Sequence, residues 1–177
     1  GDLEITAEMI DAHALRVGGG TAGEGINRVQ IDLIAGGKET PLGDAYALQM
    51  TYPMHRRQAL TAILEPALTV RPPTLVLPTL PQRNLRQANM IYGPTQSALA
   101  RAIVEAVEGG RIPPEAVDSD VMIALATVHP RALDRHALFE SVHAAAAKAL
   151  EQCNRLIRGE EAGTRREKTP WDTKLIG

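Results

Sequence analysis

Gln30 and Asp32 are the residues of this 177-residue chain best placed to do chemistry. They sit in Asn27-Arg28-Val29-Gln30-Ile31-Asp32-Leu33-Ile34, where Val29, Ile31 and Leu33 alternate with Arg28, Gln30 and Asp32. The two-residue period of a strand projects Gln30 and Asp32 from one face. A carboxamide can orient a hydroxyl or a water, and a carboxylate whose pKa is raised by burial can carry a proton. Gln96 is a second candidate, in the first turn after Gly93-Pro94, where its amide and free helix N–H groups can hold a polar heterocycle or a carbonyl. An ordinary first-turn glutamine carries equal weight.

Other constellations are weaker. His129, His136 and His143 recur every seven residues, and His136, Glu140 and His143 share a helical face at metal-ligand spacing. No Cys or Asp motif reinforces them, so a solvated amphipathic face is the stronger reading and no metal is expected. His129 differs in closing a predicted buried strand, where pockets form. Asp134, Ser141 and His143 lack a nucleophile elbow. The glycine-rich Gly18 to Gly25 precedes a strand rather than a helix, which argues for a hairpin loop and against a phosphate cradle.

The elements that must position these groups follow from periodicity and punctuation. Strands are expected at 12–17 and 28–35, joined by the glycine loop, and a short helix from Pro41 to about Met50. Ala59 to Leu64 and Thr74 to Leu77 read as further strands, separated by Pro66 and Pro72-Pro73. Pro94 suits the first turn of a helix that Gly109-Gly110 closes, with Leu99, Ile103, Ala106 and Val107 facing the core. Val121 to Val128 is a central strand. Arg131 to about Arg158 is helical, with Leu138, Val142, Ala145, Ala149, Cys153 and Leu156 inward; a charged tail follows, ending near Trp171.

Hydrophobic residues make up 44% and aromatics only 3%, so the core must be packed from small aliphatic side chains. A net charge of −2 supplies no basic footprint for nucleic acid. Cys153 is the sole cysteine, expected to be buried and inert. No apolar run approaches the roughly 18 residues needed to span a bilayer, and no signal peptide is evident, so the expected location is the cytoplasm.

Several segments together resemble the formaldehyde-activating enzyme family, in order and at nearly its spacing. They are Gly23-Glu24-Gly25, Gln30-Ile31-Asp32-Leu33-Ile34, Pro72-Pro73-Thr74-Leu75, Arg86-Gln87-Ala88, Tyr92-Gly93-Pro94-Thr95-Gln96 and Val128-His129. The resemblance implies an α+β single domain related to the second domain of a small-subunit ribosomal protein, with a mixed sheet packed against helices. It divides the chain into an N-terminal extension and first strand (1–19), a formaldehyde-activating-enzyme-like domain (20–160) and a C-terminal tail (161–177). It also implies a homopentamer with sites between neighbouring subunits. The implied reaction condenses formaldehyde with tetrahydromethanopterin, a reduced pterin co-substrate, to methylene-tetrahydromethanopterin and water without metal, as part of one-carbon metabolism and methylotrophy.

Carried over position by position, the resemblance is uneven. Asp32 and Gln96 match the family's aspartate and glutamine. Gln30 replaces the histidine that donates the proton; Thr61 falls at a leucine, Thr79 at a lysine and Pro81 at a threonine. Arg83 is near enough in sequence to restore the lost charge. These departures mark a divergent member, either a lyase-type enzyme that works without the histidine or a non-catalytic paralogue that binds a one-carbon ligand or assembles with an active relative.

Overall fold

The computed structural model describes residues 6–51, 67–68 and 70–157. Thr61, the strand expected at 59–64 and the tail with Trp171 lie outside them. Within them, five strands form one mixed sheet in the order β1-β2-β5-β4-β3, with β1 spanning Arg16–Ala22, β2 Val29–Gly37, β3 Ala67–Leu68, β4 Thr74–Pro78 and β5 Asp120–Thr127. All neighbours are antiparallel except β4 and β5. A parallel pair needs a long crossover. Here it runs through α3 (Leu85–Met90), a π-turn (Ile91–Thr95), α4 (Gln96–Glu108) and α5 (Pro114–Ser119). The remaining helices are α1 (Ala7–His13), α2 (Pro41–Thr51) and α6 (Arg135–Ile157). The α+β class is as expected.

Alternation along the strands sorts side chains between two faces. Val29, Ile31 and Leu33 of β2 join Val76, Ala124 and Ala126 beneath α4 and α6, which contribute Leu99, Ile103, Leu138 and Val142. On the other face Ile34, Leu75 and Ile123 meet Leu15 and Leu42, with Ala45 and Tyr46 of α2 packed against them. β5 is apolar from Val121 to Ala126 because both of its faces are covered. Asp134 caps α6, its carboxylate accepting from the Ala137 amide at 2.9 Å. Among the described residues no helix is long and apolar enough to cross a membrane.

Four expectations are corrected. Residues 12–17 are not a strand: α1 runs to His13, capped by the Thr6 hydroxyl on the Met9 amide, and β1 begins at Arg16. Gly18, Gly19 and Gly20 belong to β1 rather than to a loop, because a Cβ at Gly18 or Gly20 would strike the backbone carbonyl of Ala149 or Ala145 on α6. The glycines let helix and strand backbones touch. Pro94 does not open a helix; it sits within a continuous helical path, where a π-turn absorbs its missing donor and the Thr95 hydroxyl bonds the Met90 carbonyl at 2.7 Å. The long helix starts at Arg135 rather than Arg131 and is unbroken to Ile157.

Candidate active site

β2 lies between β1 and β5, so residues on its second face have partners on both sides. Gln30 stands opposite Thr21 of β1 and Thr127 of β5, and directly opposed residues share a face. The Thr127 hydroxyl lies 2.8 Å from that of Thr79, which follows β4 and is tied to β5 by its own amide on the Ala126 carbonyl. Thr21, Gln30, Thr127 and Thr79 therefore form a polar row across four chain segments. Asp32 is one step along the strand on the same face. Gln30 Nε2 donates to both carboxylate oxygens of Asp32, at 3.2 and 3.0 Å, while Gln30 itself is only 9% exposed.

The return between β1 and β2 places this row at one end of the sheet. Gly23 and Gly25 take positive φ, 91° and 58°, and a single 3-10 turn over Gly25–Asn27 leads into β2. Only glycine adopts such angles at little cost. Gly23 also sits too close to Ser141 of α6 to carry a side chain.

The expected site residues are not all gathered in one place. Gln30, Asp32 and Thr79 are brought together across β2, β5 and β4. Pro81 lies beyond Thr79 in a shallow recess that it shares with Gln87, Met90 and His129. Gln96 is half-buried at the start of α4, on the helix-covered side of the sheet. Thr127 and Thr21 escaped sequence reasoning, since only strand register reveals them; the motif Val128-His129 was the nearest signal.

The histidines divide clearly. His129 Nδ1 accepts from the Arg131 amide at 3.0 Å, and burial, aided by the Arg131 charge, holds its pKa below the ordinary value and favours neutral imidazole. His143 does not join a metal set with His136 and Glu140. Its Nε2 meets Glu105 of α4 at 2.9 Å, its ring stacks on Phe139, and Arg101 completes the cluster on Glu105. Among the described residues no three His, Cys, Asp or Glu converge as a metal site. Cys153 is buried, and desolvation pushes its thiol up to about 12, the state of an unreactive side chain.

A family model described as formaldehyde-activating enzyme matches residues 17–156. The chain belongs to the formaldehyde-activating enzyme family. It is 34% identical over 137 residues to a bifunctional enzyme Fae/Hps of Archaeoglobus fulgidus, covering 77% of this chain and 35% of that protein. The corresponding proteins of Methanococcoides burtonii and Methanosarcina mazei are 33% and 32% identical, with 77% of this chain aligned in each case and 34% and 35% of those proteins. The chain thus spans about a third of the length of these relatives. Within the family's matched region, the polar row and the Gln30–Asp32 pair fall on β1, β2, β5 and the residue after β4.

Proposed function

We propose that this chain binds formaldehyde and tetrahydromethanopterin, or a related reduced pterin, and accelerates their condensation to the methylene pterin and water. The observation that carries this reading is the Gln30–Asp32 pair, hydrogen-bonded on the face of β2 turned away from α4 and α6 in a chain of the formaldehyde-activating enzyme family. Asp32, Gln96, Thr79 and Pro81 are the proposed pterin contacts, with Thr61 from the segment before β3. A site spread over both sides of the sheet suits completion by a neighbouring subunit in a homo-oligomer, a pentamer by family resemblance.

The reaction begins when a pterin nitrogen adds to formaldehyde; the carbinolamine then loses water and a second nitrogen closes the ring. A carboxamide does not titrate in the useful range, so Gln30 forgoes general acid catalysis, typically worth about 100- to 10,000-fold. Proximity and orientation remain, and both partners are reactive enough for positioning alone to raise the rate. The direct test is the initial rate with tetrahydromethanopterin after subtraction of the uncatalysed rate, wild type against Gln30→His. Acceleration by the wild type, enlarged by the histidine, is expected; rates equal to buffer for both proteins overturn the reading for this substrate.

A second reading is favoured by one observation: Asp32 already engages Gln30 Nε2, so neither group is arranged to deliver a proton. The chain would then hold a reduced pterin without turnover, as a carrier or as the partner of an active relative. Calorimetric binding without acceleration distinguishes it.

A further inference from the structure

Gln30 has a fixed polarity. Its Nε2 faces both oxygens of Asp32, and an ionised carboxylate only accepts. Turning the amide over would set oxygen against oxygen and lose two charge-assisted contacts. Gln30 Oε1 is therefore held away from Asp32, and among the described residues no hydrogen bond reaches it. Nearby, the Thr127 and Thr79 hydroxyls are engaged with each other. Where the family resemblance places a proton donor, this chain presents a neutral acceptor.

We infer that Gln30 Oε1 is a specificity-determining acceptor for an N–H group of the amine that condenses with formaldehyde, and that Asp32 is the positioning residue that locks the amide in this sense. The inference rests on the proposed condensation and specifies its selectivity: the site favours the amine that still carries N–H over the product, in which those nitrogens are bridged by carbon. In the addition step the nitrogen lone pair forms the C–N bond and the carbonyl π pair moves to oxygen. The N–H proton passes through water to that oxygen, giving the carbinolamine. Gln30 orients the nitrogen and keeps no proton, so its contribution falls on addition and not on dehydration.

Calorimetry on the full chain with two probes, tetrahydromethanopterin and methylene-tetrahydromethanopterin, tests this. The wild type is expected to favour the N–H form, with about a two- to tenfold loss of that preference in Gln30→Met, the worth of one neutral hydrogen bond. Asp32→Asn should diminish the preference between the two probes, a change of ratio that a purely structural role for Asp32, which would weaken both probes alike, would not produce. In the wild type alone, the Gln30 side-chain amide signals in NMR should move on adding the N–H form and much less with the methylene form, which keeps the test independent of whether any variant folds. Equal affinity for the two probes, or a preference untouched by Gln30→Met, overturns the inference while leaving pterin binding intact. Binding of neither probe removes the pterin reading and this inference with it.

Discussion

The two faces of the sheet are built by opposite rules. Under α4 and α6, every inward group of β2 from Val29 to Leu33 is apolar and fully buried, and even the backbones of β1 and α6 touch through Gly18 and Gly20. On the other face the apolar floor of Ile34, Leu75 and Ile123 gives way toward one end to Thr21, Gln30, Asp32, Thr127 and Thr79. A single strand thus carries packing on one side and a polar row on the other, one residue out of phase. Close-packed contacts beneath the helices hold that row still, which is what the proposed site, working by position alone, requires.

That contrast can be broken at its stable end first. Leu33→Ala removes a fully buried side chain and should cost about 2–5 kcal/mol in chemical denaturation. Gly20→Val drives a side chain into the Ala145 carbonyl and should cost about 1–3 kcal/mol or prevent folding, seen as a lowered midpoint or loss of cooperative melting. Gln30→Met, one face away from Leu33, should cost only the net worth of its hydrogen bond, about 0.5–1.5 kcal/mol, while changing ligand selectivity. Equal stability losses at Leu33 and Gln30 would dissolve the distinction between the faces.

The smallest effects depend on pH. Glu105 is held below its ordinary pKa of 4.5, first by the hydrogen bond from His143 and then by the His143 charge and the Arg101 hydrogen bond and charge, which together outweigh the opposing desolvation. A lowered carboxyl pKa stabilises the fold fully above pH 4.5, and that contribution disappears as pH falls through the lower folded value. The melting-temperature gap between wild type and Glu105→Gln should therefore be small near neutrality and close in acid. His129, lowered by burial and then by Arg131, works in the same direction at higher pH, since the unfolded chain again takes up its proton first. Stability should fall as pH drops below about 6.5, and His129→Asn should flatten that slope.

Much of the frame was legible in the sequence because burial on both sides leaves an unmistakable mark, as in Val121 to Val128 and in the inward stripe of α6. Alternation alone placed Gln30 and Asp32 on one face. The glycine run misled because its purpose is tertiary: Gly18 and Gly20 are needed by a helix more than 120 positions away, and locally they look like a turn. Pro94 misled because a π-turn can satisfy what an α-helix cannot. Thr127 and Thr21 were invisible for a different reason, since nothing in their neighbourhood says which residue will stand opposite Gln30 until register is known.

The claim that the polar face is the working face is tested most directly by methyl NMR of Thr21, Thr79 and Thr127 during titration with tetrahydromethanopterin. The account predicts saturable shifts at these threonines, with the methyls of Leu33 and Leu138 beneath the helices unmoved. Shifts confined to the helix-covered side, or none at saturating pterin, would contradict it.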